Sequence, residues 1–256
     1  MNRLDIAPVR AFQDNYIWVI RNAEYAAVVD PGDAQPVIAY LHAEKLKLCA
    51  ILNTHHHADH VGGNDDLLRH AQVPVYGPYD ERVPTISRQL REGERISLPE
   101  FDVEYSVLEI PGHTRTHISF HGDGALFCGD TLFACGCGRL FEGTPQQMHG
   151  SLQKLAALPD DTRVYCGHEY TLANLRFALA VEPANPELIS WEQEAREQRG
   201  RNHPTLPSTI GREKRANPFL RCNQPAVSAA ASKHAGATLA DPVSVLATIR
   251  DWKNNF

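Results

Sequence analysis

The feature that most constrains this chain is a cluster of potential metal ligands at residues 53–64. His55, His57, Asp59 and His60 place three imidazoles and one carboxylate within six positions. The cluster follows an apolar run at residues 48–52, which is typical of a short buried strand, and precedes two glycines. A tight turn after a strand lets several side chains converge on one point. Imidazoles with a carboxylate are ligands that zinc and similar divalent metals prefer.

Composition narrows the class of protein. A chain of 256 residues that is 43% hydrophobic and 22% charged can bury a sizeable core in one or two domains. Its net charge of −6 argues against general affinity for nucleic acid. No apolar stretch reaches the length of a membrane span, and residues 1–8 lack the apolar core of a signal peptide. We therefore expect a cytoplasmic protein.

Sequence periodicity predicts a β-rich first part and a helical second part. Strands are predicted at residues 16–20, 25–29, 48–52, 73–76, 101–110, 118–120, 125–128 and 164–166. Helices are predicted at residues 34–45, 65–71, 171–181, 187–199 and 243–252, and from a helix start at Thr144. Residues 77–100 are expected to form loops with some helix, and residues 202–217 a loop. These patterns predict a mixed α+β domain over residues 1–170 and a smaller all-α domain over residues 171–256.

The cysteines indicate buried thiols rather than a metal site. Cys49, Cys128 and Cys166 lie in strand-like apolar runs, where a thiol behaves as a small hydrophobic group. Cys135 and Cys137 could form a metal or redox pair, but their spacing is not a usual zinc pattern.

Further potential ligands follow other predicted strands. His113, Asp130 and His168 each come just after a strand-like segment. Any one of them has an ordinary interpretation, since an aspartate in such a place is often a helix cap or turn residue. Together with the first cluster they make seven ligands, which is too many for one tetrahedral zinc. Seven suit two metals bridged by a carboxylate and a hydroxide.

These residues carry a resemblance to a known family. The pattern Thr54-His55-x-His57-x-Asp59-His60, continued by Asp30-Pro31-Gly32, His113, Asp130 and His168, resembles the signature of the metallo-β-lactamase superfamily. More narrowly, the chain is similar to the glyoxalase II, or hydroxyacylglutathione hydrolase, family. That similarity lies in residues 129–133, 136–144, 167–171, 174–178, 181–183 and 204–209, so it spans nearly the whole chain.

The resemblance implies a four-layer αββα sandwich that carries two divalent metals, with zinc expected and iron or manganese compatible. By the family pattern, His55, His57 and His113 hold one metal, Asp59, His60 and His168 hold the other, and Asp130 bridges them. His56, between two ligands, is expected to be structural. Thr116 departs from the glycine expected before His117, which alters the local turn without removing a ligand.

The implied activity is hydrolysis of S-D-lactoylglutathione to glutathione and D-lactate by a metal-held hydroxide, the second step of methylglyoxal detoxification. Asp59 would orient the hydroxide. Arg139, Tyr170, Arg250 and Lys253 are the expected substrate-binding residues of a monomeric enzyme. Without the resemblance, Arg250 and Lys253 would be interpreted as a solvated helix face. Arg139 stands where some members have lysine, and Phe141 where a tyrosine is expected.

Other functions remain open from the sequence. A persulfide dioxygenase of the same fold would need one iron and fewer ligands, so seven intact ligands argue against it. A nuclease could use the basic run at residues 211–215, but that run contains Glu213 and the chain is acidic overall. A structural zinc module would normally take cysteine ligands. The chain also lacks a Gly-x-Ser-x-Gly motif, the sign of a serine hydrolase.

Overall fold

The computed structural model describes residues 5–256, so part of the N-terminal stretch used in the signal-peptide argument lies outside the described residues. The chain divides into two units. One contains the residues up to 109 together with 116–129, and the other contains 110–115 and 130–256. This division differs from the predicted boundary at residue 170, which stays a prediction.

The first unit contains a six-stranded sheet whose strands follow chain order. Its strands are β1 (Asp5–Ala11), β2 (Asn15–Arg21), β3 (Tyr25–Val29), β4 (Lys47–Leu52), β5 (Val75–Pro78) and β6 (Arg88–Leu90). β1 to β3 pair antiparallel, whereas β3 to β6 pair parallel. β3 and β4 are nearly continuous apolar runs because parallel strands are usually covered on both faces.

The α-helices in the described part of this unit are α1 (Ala34–Glu44), α2 (Ala58–Val61) and α3 (Asn64–His70). Val37 and Leu41 of α1 and Leu67 of α3 are buried in one apolar cluster with the sheet. In the parallel pair β3–β4, Val29 lies opposite Leu52, so both strands end at the same edge. This register brings the turn at Asp30 beside the ligand cluster that follows β4.

The same unit contains an antiparallel run of four strands, β7 (Arg95–Leu98), β8 (Val103–Glu109), β9 (Ile118–Gly122) and β10 (Ala125–Gly129). β8 alternates buried and less buried residues, as its sequence predicts. The hairpin predicted around residues 122–124 is present, with Gly122 paired to Ala125. A short 3-10 helix, Pro99–Phe101, joins β7 to β8.

The second unit is mainly helical. Its strands are β11 (Leu132–Phe133), β12 (Gly136–Cys137), β13 (Arg163–Cys166) and β14 (Ser208–Thr209). Its helices are α4 (Pro145–Ala156), α5 (Thr171–Val181), α6 (Pro186–Gly200), α7 (Ile210–Ala216), α8 (Pro225–Ala235) and α9 (Pro242–Asn254). Thr144 caps α4 through a reciprocal bond with Gln147, as predicted from the sequence.

Two local predictions need correction, and one helix was missed. The predicted loop at residues 202–217 contains β14 and the helix α7. Residues 77–100 contain β6 and β7, with no α-helix there. Helix α8 was not predicted, because an alanine-rich segment with little apolar periodicity gives a weak amphipathic signal.

The structure also shows where the cysteines lie and how long and hydrophobic the helices are. Cys128, Cys135, Cys137, Cys166 and Cys222 are buried and Cys49 is half-buried, and none of these thiols is in a disulfide. Among the helices that the structure describes, none combines the length and hydrophobicity needed to span a bilayer.

Candidate metal centre and substrate pocket

Four predicted ligands meet at the end of β4. Nε2 of His55 lies 3.1 Å from Nδ1 of His57, and Nε2 of His60 lies 3.5 Å from Oδ2 of Asp59. His55 and His60 are buried, whereas His57 and Asp59 are partly exposed. The first turn of α2 supplies Asp59 and His60, so the strand-to-helix turn brings ligands from both sides together.

Asp30 organises this cluster from the neighbouring strand end. Its Oδ1 accepts from the backbone N–H of Thr54 at 2.7 Å, and its Oδ2 accepts from the Thr54 hydroxyl at 2.7 Å. Oδ2 also lies 3.1 Å from Nδ1 of His60. Because a carboxylate accepts, Nδ1 of His60 carries the proton and Nε2 keeps its lone pair. The Thr54 oxygen lies 3.0 Å from Nδ1 of His55, which leaves Nε2 of that ring as an acceptor too.

Backbone packing fixes where Asp59 sits. A Cβ placed on Gly32 would collide with the carbonyl of Asp59, so only glycine allows the Asp30 turn to lie against α2. The amide Nδ2 of Asn15 donates to Oδ2 of Asp59 at 3.0 Å. Gly32 therefore allows the close approach of the Asp59 backbone, and Asn15 orients the Asp59 carboxylate.

Asp80 is a carboxylate that lies beside His56, in the turn that contains His55 and His57. It is 7% exposed. Burial raises its pKa, but hydrogen bonds from Arg82 and from the Thr116 hydroxyl more than compensate, so the pKa lies well below the usual range. Oδ2 of Asp80 accepts from Thr116 at 2.6 Å and lies 3.6 Å from Nδ1 of His56. The glycine expected at position 116 would have no hydroxyl to donate.

The second unit brings the other three predicted ligands together. Oδ2 of Asp130 lies 3.5 Å from Nε2 of His113 and 3.3 Å from Nε2 of His168. All three residues are buried. Nδ1 of His113 lies 2.9 Å from the carbonyl oxygen of Arg139. A carbonyl can only accept, so this ring also carries its proton on Nδ1 and directs the Nε2 lone pair toward Asp130.

Gly138 makes this approach possible. A Cβ at this position would collide with the carbonyl oxygen of Asp130 and lie 3.0 Å from Nδ1 of His113. The segment 136–139, which belongs to the family-similar residues 136–144, thus lets two ligand-bearing loops lie close to each other.

A cavity of about 450 Å³ opens beside these ligands within the second unit. Six residues predicted from the sequence line it, namely His113, Asp130, Arg139, Tyr170, Arg250 and Lys253. Phe141 also lines it, and this residue is 63% exposed. The predicted substrate residues and two predicted metal ligands therefore share one cavity.

Helix α9 supplies both C-terminal cations of the cavity. Arg250 is buried and donates from Nη1 to the carbonyl oxygen of Cys137 at 2.7 Å. Its Nε is buried with no hydrogen-bond partner among the described residues. Lys253 Nζ donates to Oδ1 of Asn174. Burial, with repulsion from Arg250, lowers the pKa of Lys253 to about 8.

Sequence analysis assigned no role at the site to the residues that support the hairpin β11–β12. Asn174 Nδ2 donates to the carbonyl of Ala134 at 2.8 Å, and Asn217 Nδ2 donates to the carbonyl of Gly136 at 2.9 Å. Glu213 accepts from the backbone N–H of Cys135 at 2.9 Å. These partners are 40 to 81 positions apart, and spacing reveals no contact over such separations.

A larger cavity of about 770 Å³ lies elsewhere in this unit, lined by residues that include Glu182, Glu187, Arg215 and Arg221. Its charged groups pair with one another, with Arg221 2.8 Å from Glu182 and Arg215 3.0 Å from Glu187. It contains none of the predicted ligands.

The donor set fits divalent metal ions. His55, His60 and His113 each have Nδ1 beside an oxygen that fixes the tautomer, and each keeps Nε2 as a lone-pair donor. Metal-binding histidines usually make such an outer hydrogen bond. Asp30, His55 and His60 also offer ligand atoms within 4.8 Å of one another. The chemistry and burial of both clusters therefore match what a metal of the zinc type requires.

Comparisons with known proteins agree with the motifs. A family model described as "Metallo-beta-lactamase superfamily" matches residues 11–168, and "Hydroxyacylglutathione hydrolase C-terminus" matches residues 169–256. The hydroxyacylglutathione hydrolase of Nitrosomonas europaea is 57% identical over 99% of this chain and 97% of its own length. That of Vibrio cholerae is 50% identical over 99% of this chain and 100% of its own length.

A solved structure gives the same fold. TTHA1623, crystallised in a di-iron-bound form, is 27% identical with a TM-score of 0.60 and covers 84% of this chain and 100% of its own. These matches confirm the expected α+β class, with a metallo-β-lactamase domain followed by a helical C-terminal region.

Proposed function

Because the chain belongs to the hydroxyacylglutathione hydrolases of the metallo-β-lactamase superfamily, it is a thioester hydrolase, and we propose that it cleaves S-D-lactoylglutathione to glutathione and D-lactate. The observation that best supports this substrate is the shared cavity, which His113 and Asp130 line together with Arg250 and Lys253. The thioester carbonyl of the substrate must lie near the metal ligands, and the carboxylates of its glutathione part must lie near cationic side chains in the same cavity. This reaction would be the second step of methylglyoxal detoxification.

The fold family and the His/Asp clusters imply a dinuclear divalent metal site. We propose that His55, His57 and His113 hold one ion and that Asp59, His60 and His168 hold the other, with Asp130 shared. Zinc is the proposed metal, and iron or manganese would fit the same donors. Bound ions of this kind supply a hydroxide at neutral pH and polarise a carbonyl.

The protein's own groups orient the reaction. Asp59, held by Asn15 at 3.0 Å, can accept a hydrogen bond from the attacking water and aim its oxygen at the thioester carbon. Addition forms the C–O bond, and collapse breaks the C–S bond to release the glutathione thiolate. A thiol has a pKa of about 8.5, so this group can leave without a strong general acid.

Cationic groups would bind the glutathione part. Its carboxylates need positive charge and hydrogen-bond donors, which Arg250, Lys253 and Arg139 offer along the cavity. An arginine can bind a carboxylate through two parallel N–H groups, whereas a lysine acts as a point charge. Tyr170, 36% exposed and stacked on His168 with ring centroids 4.7 Å apart, would position the substrate near the ligands.

The direct test follows the thioester ultraviolet band of S-D-lactoylglutathione with purified protein, before and after chelation and again after zinc is restored. We expect the band to disappear, hydrolysis to stop on metal removal, and activity to return with zinc. A protein that leaves the thioester intact, or keeps full activity after its metal has been removed, would contradict the proposal.

The proposal also covers the cellular compartment and the oligomeric state of the enzyme. We propose a cytoplasmic enzyme, because its glutathione substrate belongs to the reducing compartment in which glutathione keeps thiols reduced. We also propose that it acts as a monomer on a small-molecule substrate, with no nucleic acid or membrane partner. Light scattering at working concentration would test the oligomeric state, and a dimer mass would contradict it.

A further inference from the structure

We propose that Asp80 and Thr116 are positioning residues that hold the turn containing His55 and His57 in its ligand-binding conformation. The inference rests on the proposed function only in taking these two histidines as metal ligands. It adds two residues that contact no proposed ligand atom and that act through their neighbours.

The first connection runs through His56. His56 lies between the two proposed ligands in the chain, and its ring centroid lies 4.7 Å from that of His57. Nδ1 of His56 lies 3.6 Å from Oδ2 of Asp80, and the side chain of His56 is 12% exposed. Because the His56 ring contacts the ring of His57, whose Nδ1 lies 3.1 Å from Nε2 of His55, a fixed His56 limits how both ligand rings can move.

The second connection runs through Thr116. Its hydroxyl donates to Oδ2 of Asp80 at 2.6 Å. The next residue, His117, is buried and stacks on His55, with ring centroids 4.5 Å apart and planes inclined by 14°. A fixed Thr116 therefore fixes the ring that supports the flat face of His55.

Asp80 is itself rigidly held. Arg82 donates to it from its backbone N–H at 3.0 Å, from Nε at 2.8 Å and from Nη2 at 2.7 Å. A carboxylate with this many donors has a single orientation, so it can act as a fixed point for both connections. Both connections end at the turn between β4 and α2.

The test measures zinc affinity of the full-length protein by competition with a chromogenic chelator, starting from metal-free samples. Thr116→Val keeps the shape of the side chain and removes the hydroxyl, and Thr116→Ser restores the hydroxyl. We expect Asp80→Asn and Thr116→Val to weaken zinc binding about tenfold, the low end of what loss of an outer partner causes, and Thr116→Ser to stay within about twofold of the parent.

A stability control separates positioning from general damage. Leu41→Ala removes buried apolar volume from α1, away from the ligands, and should lower the melting temperature of the metal-free protein while keeping zinc affinity. The inference is overturned if Thr116→Val binds zinc like the parent, or if Leu41→Ala loses as much affinity. If Asp80→Asn does not fold, the comparison of Thr116→Val with Thr116→Ser still tests the inference. A parent protein that binds no zinc would instead overturn the proposed function.

Discussion

Nδ1 of His60 lies 3.1 Å from Oδ2 of Asp30, and the same oxygen accepts the hydroxyl of Thr54. One carboxylate, outside the proposed ligand set, thus fixes the tautomer of His60 directly and that of His55 through a threonine. Mutation of such an outer hydrogen-bond partner commonly weakens metal binding by 10- to 100-fold.

Replacing Asp30 should therefore weaken metal binding. We expect Asp30→Ala to lower zinc affinity at least about tenfold, measured by chelator competition, because His55 and His60 lose their fixed orientation. Asp33→Ala is the matched control, since Asp33 caps α1 by accepting from Gln35 and contacts neither histidine. It should cost about 1 kcal/mol of stability and leave the affinity unchanged. Equal losses in both variants would show that the effect is only structural.

Removal of a proposed ligand should abolish metal and activity together. His57→Ala and Asp130→Ala are expected to contain less bound metal by elemental analysis and to lose nearly all thioester hydrolysis. His121→Ala changes a half-buried histidine of β9 that is not among the proposed ligands, so its metal content should match the parent. Near-normal turnover in either ligand variant would refute the two-metal assignment.

Lys253 should affect substrate binding more than the chemical step. Lys253→Met is expected to raise KM about tenfold or more, the effect of losing a hydrogen bond to a charged group, with kcat within about threefold. Arg250→Ala should also raise KM more than it lowers kcat, but Arg250 additionally supports the Cys137 carbonyl, so its stability must be measured as well. Lys233→Met on α8 makes the same charge change outside the cavity and should alter neither constant. A fall in kcat at unchanged KM would contradict the binding role.

The lowered pKa of Lys253 predicts a pH dependence. A lysine is charged below its pKa, so with a value of about 8 the carboxylate-binding form is lost as pH rises through 8. We expect kcat/KM to fall above pH 8, because this ratio reports groups of the free enzyme. Lys253→Arg stays charged and should move the fall to higher pH. Superimposable profiles for the two proteins would exclude Lys253 as the titrating group.

Glu213 predicts a pH dependence of stability. Burial raises its pKa to about 7, despite hydrogen bonds from Ser208, Asn217 and the Cys135 N–H. The folded state therefore holds this proton up to a higher pH than the unfolded state, in which a glutamate carboxyl has its ordinary pKa of 4.5. Its contribution to stability is full below that value and is lost as pH rises through 7.

Unfolding in urea at pH 5 and pH 8 would measure this effect. Glu213→Gln cannot ionise, so its free energy of unfolding relative to the parent should rise between the two pH values. Glu197→Gln, on the exposed side of α6, should keep a constant difference from the parent. A constant difference for Glu213→Gln as well would rule out ionisation of the buried group.

Local signals predicted the elements that depend on local chemistry. The helix start at Thr144 is encoded by Thr, Pro and Gln within four positions, and the strand before His55 by an unbroken apolar run. Elements with weak local signals were missed. β1 contains Pro8 and exposed Asp5 and Arg10, and α7 has only seven residues with the buried Glu213 among them.

In the candidate site too, sequence analysis identified only the residues that have a clear local signal. The seven proposed ligands could be predicted because metal chemistry restricts residue type and the motif restricts spacing. Asp30 and Asn174 were noted only as parts of the family resemblance, with no role assigned, and Asp80 was not noted. Their hydrogen bonds join residues 24 to 79 positions apart. An aspartate in a turn and an asparagine on a helix have many ordinary uses, and only the folded chain shows which groups they meet.

The placement of Arg250 and Lys253 on α9 has a genetic consequence. A nonsense or frameshift mutation at the codon for Arg250 would remove both cations and spare every proposed metal ligand, all of which are encoded upstream. Such an allele should yield a metal-loaded protein with poor recognition of glutathione. Selection for substrate recognition and selection for metal binding would then act on separate parts of the gene.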